Sequence, residues 1–201
     1  MNGVRTNWNQ RYAVADYIYG TEPNIFFKKH IDALKPGKLL LPAEGEGRNA
    51  VYAAKKGWNV EAFDFSTYAR EKAMSLATHN QISLEYEISS IEDYNFSENA
   101  YDAIGLIYVH LDPEVRIAFH HKIIKSLKHG GLLIFEAFSK QQLKHNSGGP
   151  KNEEWLFSLN ELACDFATLH IIEKEEKKIN LAEGTGHQGE AEIIRFIAQK
   201  I

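Results

Sequence analysis

The chain has 201 residues, of which 44% are hydrophobic and 25% are charged, so its composition is that of one ordinary globular domain and excludes a disordered or fibrous protein. Acidic residues outnumber basic residues by 27 to 23 and no basic stretch stands out, so we expect no nucleic-acid partner. A single cysteine, Cys164, excludes an intrachain disulfide and a zinc-binding thiol cluster, and fits a reducing, cytoplasmic location. We expect no export signal, because the start, MNGVRTNWNQRY, has no apolar core region, and no membrane span, because no later segment approaches roughly 20 apolar residues.

After the first 37 residues, short apolar runs alternate with helical patterns. The segments KLLLP, WNVEAFDF, ISLEYEI and YDAIGLIYV predict strands; one intervening helix is expected to end at Lys56 and the next to begin at Ser66. Such alternation predicts βαβ units and a parallel sheet. In DPEVRIAFHHKIIKSLKHGG, Asp112 can cap a helix, Pro113 suits its first position, and Gly130 is expected to stop it.

The last third of the chain changes character. LLIFEAF predicts a strand covered on both faces, and the polar SKQQLKHNSGGPKNEEW predicts a long loop with a short helix after it, near residues 158–165. The segments ATLHIIEKEEKKINL and EAEIIRFIAQK, joined by AEGTGHQG, predict an antiparallel hairpin at one edge of the sheet. The first 36 residues, with two or three helical turns, are expected to pack on the core as an appendage.

Residues 39–66, LLLPAEGEGRNAVYAAKKGWNVEAFDFS, predict a strand, a glycine turn, a helix and a second strand that ends at Asp64. Ligands of open α/β sheets bind outside the carboxyl ends of the strands, so this turn is a candidate binding site. Gly45 and Gly47 permit a tight turn, and the following helix presents free N–H groups. Asp64, about 20 residues on, can accept hydrogen bonds from a ribose diol. The pattern therefore predicts a ligand that contains a nucleoside.

Spacing alone leaves two ligands open, because Gly45, Gly47 and Ala50 also satisfy the dinucleotide fingerprint. Charge favours a cationic ligand. Glu44 and Glu46 flank the first glycine, where a pyrophosphate would face carboxylates and a sulfonium or ammonium group would be attracted. The arginine at the start of the helix can meet a ligand carboxylate. S-adenosylmethionine carries all of these groups; the alternative is an ordinary turn with solvated charges.

At these residues the sequence resembles the class I S-adenosylmethionine-dependent methyltransferases, and within them a small-molecule branch akin to tellurite-resistance and thiopurine methyltransferases. The resemblance covers nearly the whole chain and rests on GEGRNAVYAAKKGWNVEAFDFS, YDAIGLIYVHLDPEVR, LKHGGLLIFEAF and WNQRYAVADYIYGTEPN. It implies an α/β fold with a doubly wound, mostly parallel seven-stranded sheet and an antiparallel C-terminal hairpin. We expect a single domain over residues 1–201, with residues 1–36 as a helical lid and residues 37–201 as a Rossmann-like core.

The resemblance also implies S-adenosylmethionine as the cofactor. In such families the glycine loop holds the methionine part, the acid that ends the second strand holds the ribose, and residues after the third strand face the adenine. These roles fall on Gly45, Glu46, Gly47 and Arg48, on Asp64 with Phe65, and on Ser90 with Ile91.

The chain departs from the common family pattern at two places. The first motif usually has an aspartate in its strand followed by glycine, cysteine and glycine; here those places read Leu41, Ala43, Glu44 and Gly45. Either Glu44 substitutes by accepting a hydrogen bond from the ligand's ammonium, or the loop binds more weakly. Ser90 stands where many relatives have an aspartate near the adenine amino group.

Four N-terminal aromatic residues, Trp8, Tyr12, Tyr17 and Tyr19, suggest by the same resemblance a lid that folds over the cofactor, since aromatic faces suit a sulfonium. The alternative is that these rings attach the appendage to the core. Tyr19 and Gly20 are the pair expected to contact the cofactor.

Methyl transfer from a sulfonium is an in-line displacement, so alignment is the main task. His110, just past the fourth strand, is the leading candidate for a general base, which a hydroxyl or amine acceptor needs and a thiolate does not. Its alternative role is a hydrogen bond to a neighbouring loop. Tyr108 either lines the same pocket and contacts the cofactor, or packs as a core aromatic residue in a buried strand. Phe138 and the following loop, which contains Gln142, Gly148 and Gly149, are expected to shape the acceptor pocket, whereas His187 is expected to be a turn histidine.

We therefore expect a cytoplasmic methyltransferase that acts on a small molecule, with no metal, because the nine histidines are scattered. A nicotinamide-dependent oxidoreductase is the second candidate, and an S-adenosylmethionine-binding protein without activity is the third. The identity of the acceptor and the oligomeric state are left open by the sequence.

Overall fold

The computed structural model describes residues 8–201. Within them, seven strands form one sheet in the order β3-β2-β1-β4-β5-β7-β6: β1 Lys38–Pro42, β2 Asn59–Asp64, β3 Glu85–Ile88, β4 Tyr101–Ile107, β5 Leu127–Phe138, β6 His170–Glu183 and β7 His187–Gln199. The α-helices are α1 Ile25–Ala33, α2 Arg48–Lys55, α3 Thr67–His79, α4 Pro113–Ser126 and α5 Leu159–Asp165, and residues 8–12 form a further helical turn. The predicted α/β fold, a mostly parallel seven-stranded sheet with an antiparallel C-terminal hairpin, is confirmed. Residues 1–7 of the predicted lid lie outside the described residues.

The described residues group into two compact units. Residues 8–94 with Glu183–Gly186 form the first unit, and Asn95–Ala182 with His187–Ile201 form the second. The single domain expected over the whole chain stays a prediction. No helix in the described part of the chain is long and apolar enough to cross a membrane.

The first unit is built on three parallel strands. β1 pairs with β2 from Lys38 opposite Asn59 to Pro42 opposite Phe63, and β2 pairs with β3. The apolar run of β1 is buried, as expected for a strand covered on both faces. Because parallel strands end at the same edge, the loop after β1 and the carboxyl end of β2 come together there.

The second unit contains β4 and β5, which run parallel, and β7, which is antiparallel to β5. As predicted, Asp112 caps α4 and Pro113 is its first residue. The prediction that Gly130 stops this helix is wrong: α4 ends at Ser126, and β5 begins at Leu127, which pairs with Tyr101. Sheet pairing ends the helix before the glycine is reached.

The polar segment after β5 contains two short 3-10 helices, Lys140–Lys144 and Glu153–Trp155, instead of being irregular throughout. The short helix predicted after it is confirmed as α5. Ser158 caps α5 in a capping box, in which its hydroxyl accepts the N–H of Glu161 and the Glu161 carboxylate accepts the N–H of Ser158.

Candidate functional site

Asp64 lies at the carboxyl end of β2 and is 4% exposed. Its two carboxylate oxygens accept the N–H groups of Gly45, at 3.1 Å, and Ser66, at 2.9 Å. Burial raises the pKa of Asp64 to about 6, against the lowering effect of these backbone N–H groups. The carboxylate therefore fastens the glycine loop to the end of β2 and keeps its charge only at a desolvation cost.

Glu44 caps the helix that follows the loop. Its Oε1 accepts the N–H of Asn49 at 2.9 Å and the N–H of Ala50 at 2.8 Å, in the first turn of α2. Two of the N–H groups expected to face a ligand are therefore already bonded. Burial raises the pKa of Glu44 to about 7, although these N–H groups and the charge of Arg48 act in the opposite direction.

The charged side chains of Glu46 and Arg48 also have protein partners. Glu46 is buried, forms an ion pair with Lys72 at 2.7 Å, and accepts the N–H of Tyr19 at 3.4 Å. Arg48 donates to the carboxylate of Glu183 at 3.0 Å and to the carbonyl oxygen of Tyr19 at 3.2 Å. In this arrangement the guanidinium predicted to meet a ligand carboxylate is bonded to the protein instead.

These contacts leave the loop with an excess of negative charge. The charged groups within residues 44–48 or bonded to them are four carboxylates and two cations: Glu44, Glu46, Asp64, Glu183, Arg48 and Lys72. With all six ionised, the formal charges of these described groups sum to −2. The same field contributes to the raised pKa values of the Tyr12 and Tyr86 hydroxyls, for which burial is the largest cause and the Asp64 charge the next. A cationic ligand is the complement of such a site.

Both loop glycines are required by geometry. Gly47 has a φ of +86°, and a Cβ there would lie 2.6 Å from the Cβ of Ala73. Gly45 has a φ of +66°, and a Cβ there would lie 2.7 Å from the Tyr12 hydroxyl oxygen. Tyr86, which the sequence reasoning did not select, donates its hydroxyl to the carbonyl of Gly45 at 2.6 Å. The predicted tight turn is confirmed.

The N-terminal aromatic residues lie against this loop. Tyr12 is buried beside Gly45, and Trp8 stacks on it with ring centroids 5.5 Å apart. Tyr19 lies 6.4 Å from Trp8, and its backbone N–H and carbonyl bond the two charged loop side chains described above. Gly20 follows with a φ of +71°.

Ser90 and Ile91 are buried in the turn after β3. This turn is tied to β2, because the N–H of Ser89 donates to the carbonyl of Asp64 at 3.1 Å. The Ser90 hydroxyl donates to Asp93 at 2.7 Å and accepts its N–H at 3.2 Å. The sequence analysis did not select Asp93 as a partner of Ser90. Its position three residues after Ser90, in the segment SSIED, could have indicated this pairing. Phe65, next to Asp64, is half-buried.

In the second unit, His110 has backbone partners on both ring nitrogens. Nδ1 lies 2.8 Å from the carbonyl oxygen of Trp155, which can only accept, so Nδ1 carries the proton. Nε2 accepts the N–H of Phe138 at 3.3 Å. Burial lowers the pKa of His110 to about 4. The hydrogen bonds match the alternative expectation, a histidine that holds a neighbouring loop, and do not support a role as general base.

Tyr108 has a φ of +56°, an unusual backbone conformation for a tyrosine. Its hydroxyl donates to Glu136 at 3.1 Å, and Arg195 donates to the same carboxylate at 2.6 Å. Glu136 is 1% exposed, and it was overlooked because IFEAF reads as an apolar strand. Glu136, Tyr108 and Arg195 thus form a hydrogen-bonded polar cluster inside the second unit.

The loop predicted to shape an acceptor pocket packs against the end of β5. The buried Gln142 amide donates to the carbonyl of Gly148 at 3.0 Å, and a Cβ at Gly149 would lie 2.8 Å from the Phe138 ring. His187, expected to be a turn histidine, is instead buried at the start of β7, and its ring centroid lies 4.5 Å from that of Tyr108.

Comparison with known proteins adds a family match. Residues 42–131 match the family model described as a methyltransferase domain. The tRNA (uracil(54)-C(5))-methyltransferase of Pyrococcus horikoshii is 28% identical over 138 residues, which are 62% of this chain and 32% of that protein. The chain thus spans about a third of the length of this curated relative.

Two solved structures share the fold. TehB from Haemophilus influenzae superposes with a TM-score of 0.74 at 18% identity, over 96% of this chain and 66% of that chain. A 1,6-didemethyltoxoflavin-N1-methyltransferase from Burkholderia thailandensis, with bound 1,6-didemethyltoxoflavin and S-adenosylhomocysteine, superposes with a TM-score of 0.67 at 14% identity, over 99% of this chain and 86% of that chain. The predicted resemblance to methyltransferases is confirmed by the domain match over residues 42–131, and the predicted fold is confirmed by these two structures.

Proposed function

We propose that this chain, which has a methyltransferase domain match over residues 42–131 and the fold of S-adenosylmethionine-dependent methyltransferases, transfers a methyl group from S-adenosylmethionine to a small molecule. The observation that carries the proposal is the excess of negative charge around the glycine loop. Burial raises the pKa values of Glu44 and Asp64, and a nearby sulfonium or ammonium group would stabilise the ionised form of both carboxyl groups. A pyrophosphate would destabilise the ionised form, which counts against a nicotinamide dinucleotide as the ligand.

The residues present fit this cofactor. A carboxylate has about four acceptor positions, so Asp64 can accept ribose hydroxyls while it holds the N–H groups of Gly45 and Ser66. We propose that Gly45 and Gly47 admit the methionine part, with Glu44 and Glu46 supplying the negative field. When bound, S-adenosylmethionine supplies an electrophilic methyl group on sulfur.

The remaining predicted cofactor contacts are proposed on their placement in the first unit. Ser90 and Ile91 lie in the turn bonded to the end of β2, with Phe65 beside Asp64, so they are proposed to face the adenine. Tyr19 and Gly20 lie against the loop and are proposed to cover the cofactor. Tyr108 belongs to the second unit, and its contact with the cofactor stays a prediction from the sequence.

The proposed acceptor is one that needs no protein base. Both nitrogens of His110 are bonded to the backbone, so a proton from the acceptor has no place on this ring in the described arrangement. A thiolate or another soft nucleophile reacts with a sulfonium without deprotonation, and alignment then supplies the rate. We propose cytoplasmic methylation of such a small molecule. The net charge of −4 gives no electrostatic support to a tRNA acceptor.

Calorimetric titration tests the cofactor first. S-adenosylhomocysteine and S-adenosylmethionine are expected to bind at micromolar concentrations, NADH is expected not to bind, and Asp64→Asn is expected to weaken binding at least tenfold, by roughly the 1.4 kcal/mol of one charge-assisted hydrogen bond. Asp102→Asn, which removes a half-buried carboxylate bonded to Lys128 in the second unit, is the matched control. Binding of NADH but not of S-adenosylhomocysteine would overturn the proposal and favour a nicotinamide-dependent oxidoreductase.

Turnover is measured with methyl-labelled S-adenosylmethionine and a panel of thiols, amines, phenols and unmodified tRNA. Labelled thiol products with no labelled tRNA support the proposal. Label in tRNA overturns the small-molecule part, and tight binding without label in any acceptor favours a binding protein without activity.

A further inference from the structure

The backbone of residues 16–20, here called the lid segment, is bonded to the first unit on several sides. Lys72 donates to the carbonyl of Asp16 at 2.7 Å while it pairs with Glu46. The Tyr17 hydroxyl donates to the carbonyl of Lys72 at 3.0 Å, and Glu46 accepts the N–H of Tyr19. On this side, α3 and the glycine loop hold the lid segment.

The other side of the lid segment is held by the turn between β6 and β7. The N–H of Gly186 donates to the carbonyl of Ile18 at 2.8 Å, as a strand pair would. Added Cβ atoms at Gly184 or Gly186 would collide with the lid segment, the first with the Ile18 carbonyl and the second with the Tyr19 ring. The turn therefore fits the lid segment only because both residues are glycines.

Arg48 connects the three elements. One terminal nitrogen donates to the Tyr19 carbonyl of the lid segment, and the other pairs with Glu183 at the end of β6. Both side chains are largely buried, at 8% and 14% exposure, so the pair is shielded from solvent screening. Glu183 also accepts from the side chain of Asn24, which precedes α1.

We propose that Arg48 and Glu183, with Gly184 and Gly186, form a latch that holds the lid segment closed over the glycine loop. Arg48 and Glu183 are positioning residues, because they act through the lid segment. Opening the latch would release Tyr19 from the loop. The turn between β6 and β7 therefore determines how long a bound ligand is retained. That the retained ligand is S-adenosylmethionine rests on the proposed function; the latch itself does not.

Hydrogen exchange of the ligand-free protein tests the latch directly. In Gly184→Ala, the amides of Tyr19 and Gly186 are expected to exchange at least tenfold faster than in the wild type, because the added methyl group displaces the turn from Ile18. Gly130→Ala is the matched control, since Gly130 has a similarly positive φ of +81° with nothing within 4 Å of an added Cβ. Equal protection of the two amides in both variants would overturn the proposal.

A charge variant separates the latch from general damage to the turn. Glu183→Gln keeps the size of the side chain and removes the charge that Arg48 binds, so exchange at Tyr19 and dissociation of S-adenosylhomocysteine should each become roughly tenfold faster, the loss expected for one charge-assisted bond. The control is Glu190→Gln, which removes an exposed ion pair with Lys178 in the same hairpin.

The two proposals fail in different ways. If S-adenosylhomocysteine does not bind the wild type, the proposed function falls, and amide exchange still decides the latch. If it binds and Glu183→Gln leaves both amide exchange and dissociation within twofold of the wild type, the latch is wrong and the proposed function stands.

Discussion

Replacing Asp64 by asparagine should change the pH dependence of stability in a defined direction. Burial raises the carboxyl pKa from 3.8 to about 6 in the folded chain. Between about pH 4 and pH 6 the folded chain therefore binds more protons than the unfolded chain, so its stability falls as the pH rises through this window. The contribution is fully present at low pH and lost above about pH 6. Asparagine, which resembles the neutral carboxyl, does not titrate.

The size of the effect follows from the two pKa values. At about 1.4 kcal/mol per pKa unit, the difference between 3.8 and about 6 corresponds to about 3 kcal/mol. An amide offers one acceptor to the N–H groups of Gly45 and Ser66, so one donor loses its partner at about 1 to 3 kcal/mol. That loss does not depend on pH. Because the unfolded carboxyl is already more than half ionised at pH 4, the stability of Asp64→Asn relative to the wild type should rise by about 2.5 kcal/mol between pH 4 and pH 8.

Urea denaturation at four pH values between 4 and 8 and constant ionic strength measures this difference. Glu190→Gln, which removes an exposed carboxylate of β7, reports the part of the pH dependence that a surface acid contributes. A relative stability of Asp64→Asn that is flat across the range, or that falls as the pH rises, would refute the assignment of Asp64 as a carboxylate kept ionised at a cost to stability.

Three further predictions concern single positions. Ala43 has a φ of +49°, and the left-handed strain of about 1 to 2 kcal/mol exceeds the entropy cost of glycine. Ala43→Gly should therefore raise the free energy of unfolding in urea by up to about 1 kcal/mol, and a destabilised variant would contradict this. Gly47→Ala should lower the free energy of unfolding by about 2 to 4 kcal/mol, the sum of left-handed strain and the collision with Ala73, and an unchanged melting midpoint would show that the turn can relax. In nitrogen-detected NMR, the His110 ring should titrate near pH 4, and its neutral form should be the Nδ1-protonated tautomer. Because the unfolded chain takes up this proton first, the contribution of the neutral ring to stability should be lost as the pH falls from about 6.5 towards 4. Titration at or above pH 6.5 would restore His110 as a candidate base.

Much of the fold was predictable because its signals are local. The glycine turn, the cap at Asp112, the helix starts near Ser66 and Ser158, and the last hairpin all depend on residues within a few positions of one another. The stop expected at Gly130 failed for the same reason. Local sequence shows a glycine after a helical pattern, but the helix ends earlier because Leu127 already pairs with Tyr101 on another strand.

The partners of the site residues were not predictable, because they come from distant parts of the chain. Arg48 and Glu183 are 135 positions apart, and His110 is 45 positions from the loop residue whose carbonyl it bonds. Sequence patterns place a side chain at the end of a strand but do not show what it meets there. A loop hydrogen bond of His110 was foreseen as an alternative, although its partner Trp155 was not, and neither was the ion pair of Arg48 with Glu183.

The site uses its charges for two purposes at once. Glu44 caps α2, Glu46 holds Lys72, and Asp64 fastens the glycine loop, so each carboxylate builds the turn that would receive the ligand. When they are all ionised, the described groups in residues 44–48 and those bonded to them carry a formal charge of −2. A polar network that only stabilised the fold would gain by pairing every charge or by replacing it with an amide. The surplus is therefore better explained by a ligand that arrives with positive charge than by the needs of the fold.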